Sequence, residues 1–293
     1  MASMRAARAL KPLSLALLVS QAAIVVTGGA VRLTGSGLGC PTWPECTPGS
    51  YFPVENQVEG TFHSWIEFGN RLLTFVLVIF ALATLIAVLR SGRKDLRILA
   101  AGQFLGIFGQ GVLGGITVLT DLNPLTVASH FLLSIVLIAG ATSLHSRRKG
   151  PAVRTAIQGV ISRYSKIHVI WTSVAIVLGT IVTAAGPHAG DADVPRFDVG
   201  IEVVARIHSI SVITLMILTI AFYRRRELTA LTKHRVGIFF LISLAQGVLG
   251  YIQYFLGVPE LLVGFHILGT TLVWISAWRI WLSVQFRAKE MAL

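Results

Sequence analysis

Of 293 residues, 54% are hydrophobic and only 13% charged, with a mean hydropathy of +0.74, a balance that leaves too little polar surface for a water-soluble domain. The net charge of +12 and isoelectric point near 10.5 would suit a nucleic-acid partner in a soluble chain. Here the basic residues fall in short connectors between apolar runs, with no stripe of exposed aromatics among them, which excludes nucleic-acid binding and points instead to contact with membrane lipid.

A helix needs roughly 20 apolar residues to cross the hydrocarbon core. Eight windows qualify, at 13–31, 66–89, 98–119, 126–144, 167–185, 203–223, 236–255 and 261–282. The first, preceded by Arg5, Arg8 and Lys11, has the charge pattern of a signal peptide. It is long for one, and its end, VVTGGAVR, has a counterpart in IVTAAGPH at the end of the fifth window, so it is expected to be retained as part of a repeat.

Lys and Arg alternate between connectors. One side carries Arg5, Arg8, Lys11, Arg90, Arg93, Lys94, Arg97, Arg147, Arg148, Lys149, Arg154, Arg163, Lys166, Arg224, Arg225, Arg226, Lys233, Arg235, Arg287 and Lys289. The other has little beyond Arg32 and Arg196, against Glu45, Glu55, Glu59, Asp121, Asp191, Asp193 and Asp198. The bias places both termini in the cytoplasm. The two longest outer connectors are 32–65 and 187–202, and the first holds both cysteines of the chain, Cys40 and Cys46, in GCPTWPEC. On the oxidising side, with Pro41 and Pro44 bending the chain between them, a disulfide is expected; a free thiol pair is the alternative. No nearby histidine or further cysteine completes a four-ligand metal set.

The chain also matches itself. QGVLGGITVLTDLNPLTVASH, from Gln110 to His130, and QGVLGYIQYFLGVPELLVGFH, from Gln246 to His266, are identical at 9 of 21 positions. Each is the end of one helix, a short turn and the start of the next, so the fold class expected is an all-α polytopic membrane protein of eight transmembrane helices in two tandem, pseudo-symmetric four-helix bundles. The halves are 1–150 and 151–293, inserted in the same sense, which brings His130 and His266 to one depth near the outer face. One hairpin earlier, Asn70 lies 60 residues before His130 and His208 lies 58 before His266, so Asn70 and His208 correspond.

An imidazole inside a membrane helix is costly without a partner. Bonding to a carbonyl or water would satisfy any single one. His208 and His266 together, on two helices of one bundle, suggest the two sides of one cavity with haem iron between them. His145, His168 and His234 fall among Lys and Arg and are expected to be solvated; His188, in an outer loop, is expected to be solvated or to meet a haem propionate. His63, Glu67 and Asn70 form an i, i+4, i+7 stripe, and His63 is assigned a structural role. Glu67, followed by Arg71, is an acid near the hydrocarbon boundary: either an anchoring ion pair or, beside a haem cavity, a functional group. In the second half Ala205 takes its place, three residues before His208, so the two cavities differ chemically. Gly102, Gly106, Gly111 and Gly115, spaced as GxxxG, are expected to bring helices close.

These features together resemble the haem A synthase family over nearly the whole chain: TGGAVRLTGSGLGCPTWPEC after the first helix, the acid of IEFGNR opening the second, His130 after QGVLGG, His208, and His266 after QGVLG. The resemblance implies oxidation of a methyl group of haem O to a formyl group, through successive hydroxylations and loss of water, to give haem A for cytochrome oxidase. It implies haem b as cofactor in the C-terminal half on His208 and His266, and the substrate haem in the N-terminal half near Glu67 and His130. It further implies a Cys40–Cys46 disulfide, a place in the cell membrane, and haem O synthase and cytochrome oxidase assembly as partners, with a homo-oligomer allowed. The family pattern Glu-x-x-His-Arg is here Glu67-Phe-Gly-Asn70-Arg71. Asn70 is no strong axial ligand, so the substrate iron is held by His130 alone or also by His63. A dihaem cytochrome relaying electrons from quinol would use the same histidines, but the outer-loop match and the chemical difference between the halves speak against it. A transporter on duplicated helices would need a broken helix and a site at mid-membrane, where this sequence places no ionisable residues.

Overall fold

The computed structural model describes residues 2–55, 57, 60–150, 152–154, 159–191 and 193–288. Glu59 and Lys289 lie outside them, as do the side chains of Arg154 and Arg287. Eight helices are each long and apolar enough to cross a membrane: α1 Ala2–Leu33, α2 Thr61–Arg90, α3 Arg97–Leu119, α4 Pro124–Arg147, α5 Val160–Ala185, α6 Ile201–Tyr223, α7 Ala230–Phe255 and α8 Glu260–Gln285. All eight begin ahead of their apolar windows, by one to eleven residues, because the first turns add little hydropathy yet still complete the backbone hydrogen bonds that a nonpolar solvent demands. Their outer faces carry exposed apolar side chains at every level, such as Phe75, Ile98, Val136, Ile170, Ile217, Phe255 and Leu261, which only lipid can solvate.

Contacts divide the helices into two rings. In one, α1 packs on α2, α2 on α3, α3 on α4, and α4 closes on α1; in the other, α5 to α8 repeat the circuit. The rings meet mainly through α8, which packs on α1 and α4. At that seam the indole N–H of Trp274 donates to the Ile135 carbonyl at 2.7 Å, and that of Trp278 to Ser143 Oγ at 2.8 Å. After α4 and after α8 the chain forms short strands, β1 Ala152–Arg154 and β2 Phe286–Ala288, paired antiparallel, so both rings finish at the same end of the molecule. That end carries the arginine-rich connectors and is called the basic end below. Arg93 ties it together, bonding Asp95 and the carbonyls of Arg147, Arg148 and Gly150. The opposite, loop end holds the described residues of the α1–α2 and α5–α6 connectors, which touch where Gly37 N–H donates to the Gly190 carbonyl at 2.9 Å.

The largest buried apolar cluster of each ring lies toward the basic end. The buried core of the first, including Leu10, Leu17, Leu77, Ala81, Val88, Ala100, Ile107, Ala141 and Leu144, lies in the half of each helix nearer the basic end. The second core repeats this with Leu215, Phe222, Val236, Phe239, Val273, Ala277, Ile280 and Val284, and only Ala175 stands at mid-helix. His168 belongs to this core, contrary to the expectation that it is solvated. Helix α5 begins at Val160, so His168 stands two turns inside it, 1% exposed, edge-on to Phe239 at 4.4 Å and bonded to Thr219 Oγ1 at 3.2 Å. His145 is half-buried against Ser14 Oγ at 3.0 Å, whereas His234 is exposed as expected.

Candidate functional site

The residues singled out in the sequence gather at the loop end, where the packed cores stop. His130 and His266 each stand six residues into α4 and α8, and His208 seven residues into α6, so all three lie about 10 Å below the helix starts at 1.5 Å per residue. Within each ring α6 lies diagonally across from α8, and α2 from α4. His208 and His266 thus stand at similar depth on diagonal helices of the second ring.

Each imidazole rests edge-on against a glycine of the preceding helix. A Cβ built on Gly114 would lie 3.2 Å from His130 Cε1, one on Gly250 3.2 Å from His266 Cε1, and one on Gly179 3.3 Å from His208 Cε1. A larger residue there would have to push the ring away. In all three, Nδ1 is sealed from solvent, and in His130 and His266 it has no hydrogen-bond partner. The helix below is clamped in the same way in both halves. Gln110 Nε2 donates to the His130 carbonyl (3.2 Å) and to Ser134 Oγ (2.6 Å); Gln246 Nε2 donates to the His266 carbonyl (2.6 Å) and to Thr270 Oγ1 (3.2 Å). The first and last residues of the repeated motif are therefore bonded to each other in both copies.

The position of Asn70 corresponds to that of His208, and it leans on the preceding helix as the histidines do, with Thr27 Oγ1 and Asn70 Oδ1 2.7 Å apart. The stripe it shares with His63 and Glu67 is a seam to α1 and the segment after it. His63 Nδ1 lies 2.8 Å from Ser36 Oγ, and Glu67, 6% exposed, accepts from Cys40 N–H at 2.7 Å and from Arg71 at 2.6 and 3.1 Å. Arg71 in turn donates to the carbonyls of Cys40 (2.7 Å), Thr42 (3.1 Å) and Glu45 (3.1 Å). Cys40 and Cys46 form the expected disulfide, with both side chains fully buried against Phe68. The acid, its arginine and the disulfide loop form one hydrogen-bonded roof at the loop end of the first ring.

Some expectations change. His188 is partly buried instead of solvated: its Nε2 lies 2.7 Å from the Val258 carbonyl, in the α7–α8 turn, where Val258 takes a positive φ of 63°. Of the four GxxxG glycines, only Gly106 admits a neighbouring helix, at Leu137; Gly115 takes the loop residue Trp43, and Gly102 and Gly111 face open space. Sequence reasoning passed over the two glutamine clamps although both glutamines stand in the identical motif, and over Gly179, which no repeat marks.

A flat macrocycle fits this arrangement better than a bare ion. Among the described residues no three of His, Cys, Asp and Glu come together, so protein side chains alone offer no metal cage. Imidazoles at one depth on diagonal helices suit a porphyrin, since it brings four equatorial ligands of its own and asks the protein for one or two axial ones. Gly250→Val is expected to tilt His266 and shift the absorption bands of a bound haem while the helices persist; absorption and electron paramagnetic resonance spectra of the purified variant check this.

The sequence model of COX15-CtaA, described as cytochrome oxidase assembly protein, matches residues 12–278. Proteins named heme A synthase are similar over shorter stretches. That of Exiguobacterium sibiricum is 30% identical over 56% of this chain and 55% of its own length, and that of Symbiobacterium thermophilum 27% identical over 61% and 60%. That of Geobacillus kaustophilus is 31% identical over 36% of this chain and 32% of its own length. The matched segments thus span between a third and 60% of these relatives.

Proposed function

From the premise that this chain belongs to the COX15-CtaA family of cytochrome oxidase assembly proteins, we propose that it is a haem A synthase, an oxidoreductase that converts a methyl group of haem O to the formyl group of haem A. The observation that carries the reading is the pair of imidazoles, His208 and His266, each seated on a glycine of the preceding helix at similar depth on diagonal helices of one ring.

In this reading residues 151–293 would hold haem b as a permanent cofactor, with His208 and His266 as the residues that would bind its iron. Ligation by two imidazoles suits electron transfer, because it need not change with redox state. Residues 1–150 hold the substrate. His130 binds the haem O iron from α4; Asn70, across the ring, supplies no strong ligand, so one axial position stays open unless His63 fills it. Ser36 holds His63 by Nδ1, which leaves its Nε2 available. When bound, haem b supplies one-electron redox chemistry beside the substrate.

The other steps belong to side chains. Gln110 and Gln246 fix the backbone of the two helices that carry His130 and His266. Glu67 places a carboxylate at the roof of the substrate ring, where it stabilises positive charge at the substrate methyl carbon or takes up its proton. Arg71 orients that carboxylate and binds it to the disulfide loop. The excess of Lys and Arg at the basic end supports a topology with both termini in the cytoplasm and the haem sites near the outer face of the cell membrane, with substrate arriving from haem O synthase and product passing to cytochrome oxidase assembly.

The test is pyridine haemochrome analysis with product identification on protein co-expressed with a haem O supply. One haem b per chain together with accumulating formyl haem is the expected result. Two haems b and no formyl product would instead mark a cytochrome that only relays electrons.

A further inference from the structure

The two rings are closed differently on one side. In each, one pair of neighbouring helices is joined by a connector at the basic end alone and has none at the loop end, α2 with α3 and α6 with α7. Aligning the repeated motifs sets Gly115 against Tyr251, and aligning Asn70 with His208 sets Arg71 against Ser209. In the second ring these two positions bond directly: Tyr251 Oη and Ser209 Oγ are 2.6 Å apart, which latches α7 to α6 one residue from His208. In the first ring neither position reaches the other. Arg71 instead grips the carbonyls of Cys40, Thr42 and Glu45, and Trp43 of the same loop lies flat on Gly115, so close that even a methyl group there would collide with the indole. Gly114, next to Gly115, is the glycine on which His130 rests.

We infer that the first ring loads and releases its haem sideways between α2 and α3, and that Trp43, seated on Gly115, is the substrate-positioning residue that closes this port. The inference rests on the reading above that residues 1–150 bind the substrate. A wall made of side chains within two helices opens only if the helices separate. A wall made by a separate loop opens when that loop lifts, with both helices and the imidazole on α4 left in place. The disulfide ties the loop ends together, so that the segment 40–46 moves as one piece. Trp43 is 41% exposed, which leaves one face of the indole free while the other covers the helix. A bulky planar substrate that must enter and leave in every cycle needs such a wall, and a permanent cofactor needs the latch found in the other ring.

The test measures haem release from loaded, detergent-solubilised protein to an excess of apomyoglobin, with haem O and haem b separated by chromatography. Trp43→Ala is expected to speed haem O release at least about tenfold and to leave haem b release unchanged. Tyr251→Phe is expected to speed haem b release and leave haem O alone. Gly115→Tyr, which expels the indole and sets a ring of its own in the gap, separates loss of the seat from loss of folding: it should alter haem O exchange while haem b stays bound at full stoichiometry. Equal haem O release from wild type and Trp43→Ala, or equal acceleration of both haems, overturns the port. Wild-type protein that takes up haem b but no haem O overturns the functional reading itself, a result distinct from either.

Discussion

Replacing His266 with alanine is expected to abolish stable haem binding in the C-terminal ring, with retention falling on the order of 100-fold or more and turnover falling to background. The change is clean because the clamp below the ring is made to backbone: Gln246 and Thr270 both bond the His266 carbonyl, which alanine keeps. Helix α8 therefore stays docked on α7 while the imidazole is lost. His208→Ala should do the same from the opposite side. Loss of the low-spin haem signal with unchanged helical circular dichroism is the expected pair of measurements; a retained signal in both variants would remove these residues from the axial positions.

Glu67→Gln is expected to lower kcat by about 100-fold while both haems still bind. Glutamine keeps the length of the side chain; with its amide oxygen accepting from Cys40 N–H, its amide nitrogen faces Arg71, which keeps its bonds to the carbonyls of Cys40, Thr42 and Glu45 and so holds the loop. What disappears is the negative charge opposite Arg71, whose shortest bond to the carboxylate is 2.6 Å. Losing the bonds from Arg71 to the carboxylate costs about 2 kcal/mol of local stability, small beside the effect on the rate. Full turnover in this variant would leave Glu67 as an anchor for the disulfide loop and nothing more.

The fold was largely legible in the sequence, because a membrane leaves few options: apolar runs of sufficient length, basic connectors and an internal repeat together specify eight helices in two similar groups. His130, His208 and His266 stood out for the same reason, as polar groups in helices at repeat-related positions. What stayed hidden depends on facing and on contacts between segments distant in sequence. His168 sits among basic residues in sequence, yet its helix starts early enough to turn it into the core. Trp43 lies in a loop whose composition says nothing of Gly115, 72 residues further on. Glu67 was legible as an unusual acid, but its bond to the Cys40 amide follows only from how the loop folds back over α2. The Gln110 and Gln246 clamps lay in plain view within the repeat, and only coordinates say that its two ends meet.

The confinement of each apolar core to one half of its ring bears on what happens between turnovers. Because the tightly packed portion and the ligand-bearing portion occupy different levels, the protein can be emptied and refilled without its scaffold coming apart. Hydrogen exchange should be slow near Phe239 and Ile107 whether or not haem is present, and fast around Gly114 and Gly250 only in the empty protein. A vessel built on a solid base, with its mouth left free to adapt, can receive one pigment, alter it and pass it on many times over.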